Sequence, residues 1–194
     1  MLTTREALLD AAYDAALAGD WERVRMADVA RAAGVSRQTL YYEFGSKDAL
    51  AEALSLREAA RWMEGADAAI VGHEGTPSEA VAAGTLWTLE EAARNPLLKA
   101  VLTDDAGGLL PYLTTRADSL QGAARDHCAD HLTSRWPEIP PECVQLVAET
   151  VTRLQFSHLV LPGGRPDQVA RDIAVLVDAL LQGQQSIKER HEHP

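Results

Sequence analysis

Side chains that suit hydrogen bonding to nucleic acid are concentrated in one stretch of the sequence, AAGVSRQTLYYEFGSK, at residues 32–47. Those side chains are Arg37, Gln38, Thr39, Tyr41, Tyr42 and Lys47. Arginine pairs well with the O6 and N7 atoms of guanine, and glutamine with the N6 and N7 atoms of adenine. Threonine, tyrosine and lysine commonly donate to phosphates, which set the register without reading the sequence. The stretch therefore has the chemistry of a DNA-contacting surface.

The pattern around these side chains predicts a helix-turn-helix. One helix is expected over roughly residues 26–33, ended by Gly34, and a second over residues 37–44, capped by Ser36. Two short helices joined by a Gly-containing turn form this motif, and its second helix enters the major groove of DNA. Leu40 and Phe44 share one face of that second helix and would anchor it to a core. The polar residues between them are then left to face outward.

A helix on each side completes the predicted domain. Thr3 and Glu6 have capping-box spacing, which begins the first helix, and Gly19 suits its end. Ser46 caps a long fourth helix that begins at Lys47 and runs toward residue 70. The remaining sequence is also helical in pattern, with Gly and Pro clusters between the segments.

The motif DVARAAGVSRQTLYYEFGSKDAL at residues 28–50 resembles the DNA-binding domain of the tetracycline-repressor (TetR) family. The resemblance covers roughly residues 5–54, whereas residues 55–194 resemble the family only in length, helical pattern and a long final helix pair. It implies that some of these side chains meet bases, namely Arg37, Gln38 and Tyr41. It implies that others hold phosphates, namely Thr39, Tyr42 and Lys47. The complete predicted DNA-binding set is Arg25, Ser36, Arg37, Gln38, Thr39, Tyr41, Tyr42 and Lys47.

Two positions depart from the family pattern. The family often opens its second helix with a Thr or Ser that caps the helix and touches a phosphate, but Val24 and Arg25 stand there in this sequence. The phosphate contact is therefore expected to be either lost or replaced by the Arg25 guanidinium. The family often has His where this sequence has Glu43, and Lys47 at i+4 is the expected partner of that carboxylate.

The charge distribution limits where DNA could bind. The formal net charge is -11, and residues 1–64 hold 8 basic and 11 acidic residues, which leaves -3 there and -8 in the remainder. Because phosphate contacts dominate DNA affinity, a binding surface must be a local basic patch. The candidates for that patch are Arg23, Arg25, Arg31, Arg37 and Lys47.

The fold class predicted from these patterns is all-α, with about nine helices. We expect an N-terminal three-helix helix-turn-helix domain over residues 1–46 and a C-terminal helical bundle for ligand binding and dimerisation over residues 47–194. The helices at 142–161 and 167–182 are expected to pair with their copies in a four-helix interface between two subunits. Ile173 and Val177 are the residues assigned to that interface.

Large apolar side chains in the middle of the chain are candidates for lining an inducer cavity. They are Trp62, Leu86, Trp87, Tyr112 and Phe156. Ordinary core packing is the alternative for each of them. With aromatic residues at only 5%, a cavity would be mainly aliphatic, and Glu90, Arg153 or His158 could add polar selectivity. Gly107 and Gly108 could permit local opening.

Other chemistry has little support in the sequence. His127, Cys128 and His131 have helical spacing that could ligate a metal, but an incidental cluster is the preferred interpretation. Ser157 and His158 have no evident partner acid, and no phosphate-loop, dinucleotide or nucleophile-elbow motif is present. We therefore predict no enzyme activity, no metal and no cofactor.

The composition indicates the cell compartment. No apolar run approaches the ~18 residues of a membrane span, and the first residues, MLTTREALLDAAYD, lack the features of a secretory signal. Two cysteines are too few for a disulfide framework. A cytoplasmic protein without membrane contact is expected.

These observations together predict a one-component transcriptional regulator. The preferred hypothesis is a homodimeric repressor that a largely apolar small molecule releases from a palindromic double-stranded operator. The alternatives are a ligand-independent DNA-binding interaction protein with a packed core, and a metal-dependent helical-bundle enzyme.

Overall fold

The structure, a computed structural model, describes residues 3–19, 21–71, 75–102 and 108–192, with side chains described as far as residue 183. Within these ranges the chain forms ten α-helices and one short 3₁₀ turn at Trp21–Arg23, and no strand. The helices are α1 (Thr4–Leu17), α2 (Met26–Ala32), α3 (Arg37–Phe44), α4 (Lys47–Ile70), α5 (Pro77–Arg94), α6 (Pro96–Leu102), α7 (Leu110–Leu113), α8 (Asp118–Arg135), α9 (Pro141–Val160) and α10 (Pro166–Glu192). Since α7 has only 4 residues, the predicted all-α fold of about nine helices is confirmed.

Short polar side chains begin the N-terminal helices as the sequence predicts. The Thr3 hydroxyl accepts a hydrogen bond from the Glu6 backbone N–H at 3.2 Å. The Ser46 hydroxyl accepts one from the Ala49 backbone N–H at 3.1 Å, so α4 begins at Lys47. Each cap satisfies a backbone donor that has no partner inside its own helix.

The chain packs as two compact units. The first unit comprises residues 1–60 and 93–120, and the second comprises residues 61–92 and 121–194. The long helix α4 runs through both, because the boundary falls at Ala60. This division follows packing contacts, whereas the predicted functional boundary after residue 46 stays a prediction.

The core of the first unit joins the helix-turn-helix to later parts of the chain. Leu8 of α1, Val29 of α2, Leu40 of α3 and Leu50 of α4 are all fully buried in one cluster. Leu97 of α6 belongs to the same cluster. Burying a leucine side chain contributes about 1.5–3 kcal/mol, so this cluster holds α3 firmly against its neighbours.

The core of the second unit is built largely by α9 and α10. Val147 and Val151 of α9 pack in one cluster with Ile173 and Val177 of α10. The sequence pattern assigned Ile173 and Val177 to an interface between copies, and this assignment is wrong, because both are fully buried within their own chain.

A different face of these two helices is exposed. Val175, Leu176 and Leu146 are exposed large apolar residues. The apolar surface of α10 is therefore wider than one neighbouring helix covers, as its sequence indicates. In the part of the chain that the structure describes, no helix is both long enough and apolar enough to span a bilayer.

Candidate nucleic-acid interface

The turn between α2 and α3 depends on a glycine. Gly34 has φ of 70°, the left-handed region that residues with a Cβ avoid. The chain then reverses through a hydrogen bond from the Val35 N–H to the Ala30 carbonyl oxygen at 3.0 Å. This turn allows α3 to leave α2 at an angle, as a helix-turn-helix requires.

Ser36 and Thr39 form a small hydrogen-bonded cap at the start of α3. The Ser36 hydroxyl accepts from the Thr39 backbone N–H at 3.0 Å. The two side-chain hydroxyls also lie 2.8 Å apart, within hydrogen-bond distance. Both residues therefore cap the start of α3. Ser36 is exposed to solvent and Thr39 is half-buried.

The outer face of α3 presents the predicted recognition side chains. Leu40 and Phe44 face the core, while Arg37, Gln38 and Tyr41 are exposed. The Arg37 guanidinium lies 5.3 Å from the centre of the Tyr41 ring and donates to its hydroxyl at 3.4 Å. This contact holds the arginine over the helix surface, in an orientation that still leaves it open to solvent.

Tyr42 is the most exposed large apolar residue of the described chain, at 87%. Because the ring is exposed to water, packing in the core does not explain why a tyrosine stands at this position. It lies on α3 beside the exposed Tyr41, and its phenol hydroxyl is open to solvent.

Lys47 has a structural partner that its sequence position did not reveal. Its ammonium group donates to the Glu22 carbonyl oxygen at 2.9 Å and lies 5.5 Å from the centre of the Trp21 ring. No ion pair between Lys47 and Glu43 is present among the described residues, so the expected i,i+4 pair is not formed. The partners of Lys47 lie 25 positions earlier, and no local pattern could have predicted them.

The basic residues around the motif differ in how far they are engaged by other groups of the protein. Arg25 is exposed at the N-cap of α2 and makes no capping hydrogen bond through its side chain. Arg31 is engaged with Asp28 at 2.9 Å on the surface of α2. The exposed Arg25 and Arg37 are therefore the cations of this surface best placed to meet a phosphate or a base.

The predicted ligand-lining residues divide between the two packing units. Trp62 and Trp87 meet edge to face in the second unit, with ring centres 5.9 Å apart. Leu86 and Phe156 are half-buried in the same unit. Tyr112 instead belongs to the buried core of the first unit.

Tyr112 takes part in a polar contact as well as in the core. Burial, followed by the nearby charge of Asp48, raises the pKa of its hydroxyl. Arg116 donates to that hydroxyl at 3.5 Å and lies 3.5 Å from the Asp48 carboxylate. Packing in the core of the first unit, together with these polar contacts, accounts for the position of Tyr112.

Polar groups occupy the interior of the second unit, and two of them, Gln155 and Thr85, were not singled out in the sequence. Gln155 donates to the hydroxyl of the fully buried Thr85 at 2.8 Å. The indole nitrogen of Trp62 and the Nδ1 atom of His158 are buried without a hydrogen-bond partner. A buried polar group without a partner costs about 1–3 kcal/mol, and no described residue satisfies these two atoms.

Two glycines, Gly65 in α4 and Gly108 before α7, have different structural roles. A Cβ on Gly65 would overlap the Trp87 ring, so α4 and the ring fit closely there. Gly108 has φ of 79°, a conformation that favours glycine. Gly107, the other half of the predicted opening point, lies outside the described residues.

The histidine pair on α8 is engaged by a carboxylate. His127 Nε2 lies 3.0 Å from an Asp67 oxygen, and His131 Nδ1 lies 3.7 Å from the same oxygen. Burial lowers the pKa of His131, against the opposing effect of Asp67, and burial raises the pKa of the Cys128 thiol to about 12. No group of three or more metal-binding side chains in the described ranges is arranged to hold an ion.

Known sequence families match both parts of the chain. The family described as bacterial regulatory proteins, tetR family, matches residues 8–54. The family described as bacterial tetracyclin repressor, C-terminal domain, matches residues 77–179. The first match covers the helix-turn-helix, and the second runs from the start of α5 to about the middle of α10.

Individual relatives agree with these matches. The HTH-type transcriptional regulator AlkX of Mycobacterium tuberculosis is 34% identical over 174 residues, which cover 89% of this chain and 82% of the relative. The TetR family repressor AlkX of a Dietzia species has a TM-score of 0.76 at 32% identity, covering 93% of this chain and 96% of that one. The repressor QsdR of R. erythropolis shares the fold, with a TM-score of 0.66 at 22% identity over 92% of this chain and 94% of its own. The chain therefore belongs to the TetR family of DNA-binding helix-turn-helix transcriptional regulators.

Proposed function

We propose that this chain is a homodimeric repressor that binds an inverted-repeat operator through α3 and is released by a largely apolar small molecule. The observation that carries the proposal is the division of α3 into a buried face and an exposed face. Leu40 and Phe44 anchor it, and Arg37, Gln38 and Tyr41 face outward. The N-terminal residues of a recognition helix are the ones that contact base edges.

The roles proposed for the exposed side chains differ. Arg37 and Gln38 occupy the first turn of α3 and would read bases. Tyr42, Lys47 and Arg25 would contact phosphates, which position the protein without reading sequence. Lys47 would first have to leave the Glu22 carbonyl or share its protons with it, so we assign it a weaker phosphate role than Tyr42.

Two substitutions on α3 should separate base reading from phosphate contact. Arg37→Ala is expected to weaken binding unequally across operator variants, by about 1–3 kcal/mol at one base position. Tyr42→Phe removes only a hydroxyl and should weaken all sequences alike. Fluorescence anisotropy with a panel of single-base operator variants measures both patterns. Arg165→Ala, which removes an exposed arginine from the second unit, is the control and should leave affinity unchanged. Full affinity in both α3 variants would contradict the assignment.

The ligand part of the proposal rests on the second unit. Its half-buried aromatic residues Trp62, Trp87 and Phe156 lie on three different helices. The unpaired Trp62 nitrogen and the Gln155–Thr85 pair add a few polar groups, the usual composition of a small-molecule site. The Dietzia repressor is implicated in the biodegradation of n-alkanes, and its resemblance to this chain supports an n-alkyl compound as the ligand.

An effector of this kind must bind less well to the DNA-bound protein. We expect a medium-length n-alkyl compound that binds the protein to lower operator affinity by about 1–3 kcal/mol, the usual size of allosteric coupling. Coupling is reciprocal, so operator DNA should weaken that compound by the same factor. Titration calorimetry with and without operator measures this. Equal affinity for the compound with and without operator would mean that its binding is not coupled to DNA binding.

A ligand-independent DNA-binding protein is the second candidate. The close fit of the Trp87 ring against Gly65, and its edge-to-face contact with Trp62, favour a packed interior. Failure of every n-alkyl compound to raise the melting temperature would favour this alternative, and it would leave the DNA-binding proposal intact.

A further inference from the structure

We propose that Arg57 is a positioning residue for DNA recognition. It ties the first half of α4 to α1 and thereby fixes the direction of the recognition helix relative to α4. The inference rests on the proposed function, because it concerns how a dimeric DNA-binding protein sets the distance between its two recognition helices.

The Arg57 guanidinium is surrounded by acceptors. It donates to the Asp10 carboxylate at 2.7 Å and to the Leu9 carbonyl oxygen at 3.3 Å, both on α1. It also donates to Glu58 at 3.0 Å on its own helix, and Glu6 of α1 lies 3.8 Å away. The side chain is only 9% exposed. Four acceptors around one buried cation make this contact far more specific than a surface ion pair.

The surroundings of Arg57 show why the contact matters for orientation. An open cleft of about 430 Å³ is bordered by residues of α1 and α4. Arg5 and Leu9 line it from α1, and Ala53 and Arg57 line it from α4. The inner faces of the two helices pack together through residues such as Leu8 and Leu50, whereas along this cleft their outer edges are open to solvent and polar contacts must join them. The guanidinium bridges α4 to α1 at that place.

Helix α1 passes the orientation on to α3. The Arg5 guanidinium lies 4.7 Å from the centre of the Phe44 ring, which ends α3. Leu8 and Leu40 are fully buried in the same core cluster. The path therefore runs from Arg57 on α4, through Asp10 and the body of α1, to the recognition helix.

The orientation of the helix-turn-helix domain (called the head below) relative to α4 affects how strongly DNA binding depends on half-site spacing. Recognition helices of a dimer must meet half-sites about 34–36 Å apart. If the heads are held at one angle, affinity falls steeply when the half-site spacing changes. If the heads are loose, only the fraction of molecules with the right angle binds, so affinity at the best spacing falls and other spacings are tolerated.

The test uses the full-length protein and operators whose spacing is altered by one or two base pairs. Asp10→Asn and Arg57→Lys are the test variants. The first keeps the shape of a half-exposed side chain, and the second keeps the charge but loses the planar fork. Asp167→Asn, which removes the same charge from a half-buried aspartate paired with Arg165 and Arg171 in the second unit, is the matched control. Anisotropy is measured on each spacing and on a single half-site, and circular dichroism checks folding.

The expected result is a flattened spacing profile. Both variants should lose roughly tenfold in affinity at the best spacing, as expected if the competent angle is populated about a tenth of the time. Their affinity for single half-sites and for other spacings should change little, and the control should match the unmodified protein. Equal loss on every DNA, half-sites included, would show a merely structural role and overturn the inference. So would a wild-type profile in both variants. Absence of DNA binding by the unmodified protein would overturn the proposed function, and this inference with it.

Discussion

Replacing Val175 and Leu176 together by Glu is expected to separate the dimer into monomers and to remove tight binding to an inverted repeat. These side chains are 66% and 47% exposed on α10, so the described part of their own chain leaves much of their apolar surface uncovered. In a two-fold interface each substitution occurs twice, so four carboxylates would be buried together. Loss of the second head removes the avidity of a linked pair, a factor of about 10²–10⁴. Sedimentation velocity and anisotropy measure the two effects.

The control for this prediction is Val71→Glu. Val71 is another exposed valine, and it follows α4 rather than lying on α9 or α10. This variant should sediment as the unmodified protein does. A dimer that survives the double substitution at 175 and 176 would contradict the proposed interface.

Leu40→Ala should have the largest effect on stability. Leu40 is fully buried where α3 meets the core of the first unit. Removing a buried leucine side chain costs about 2–5 kcal/mol, because apolar burial is lost and a cavity is left. Urea denaturation measures the free energy of unfolding. Gln38→Ala, on the exposed face of the same helix, should change that free energy by about 0.5 kcal/mol or less. A cost below about 1 kcal/mol for Leu40→Ala would mean that α3 is not anchored as described.

The sequence was informative wherever a structural feature depends on neighbouring residues. The caps at Thr3, Ser36 and Ser46 each join residues three positions apart, so the sequence alone predicted them. The inner and outer faces of α3 follow from helical periodicity. The family resemblance suggested the DNA-contacting role of that outer face. The family match over residues 8–54 confirms the resemblance, and the roles of the individual side chains stay predictions.

Features that depend on distant residues could not be predicted in this way. Arg57 meets Asp10 across 47 positions, and Lys47 meets Glu22 across 25. An apolar helix pattern also does not say which neighbour covers it. For this reason the sequence predicts a subunit interface for Ile173 and Val177, although they pack inside their own chain. For the same reason it could not predict that Tyr112, a candidate ligand contact, lies in the core of the first unit.

Selection of bound sequences from a random double-stranded DNA library tests the central claim most directly. The account predicts an enriched inverted repeat whose half-site centres lie about 10–10.5 base pairs apart, one turn of the DNA helix, or a multiple of that distance. It also predicts that Arg37→Ala protein enriches a pool with relaxed preference at one base of each half-site. A pool without a common sequence from the unmodified protein, at moderate salt, would contradict the claim that α3 reads DNA.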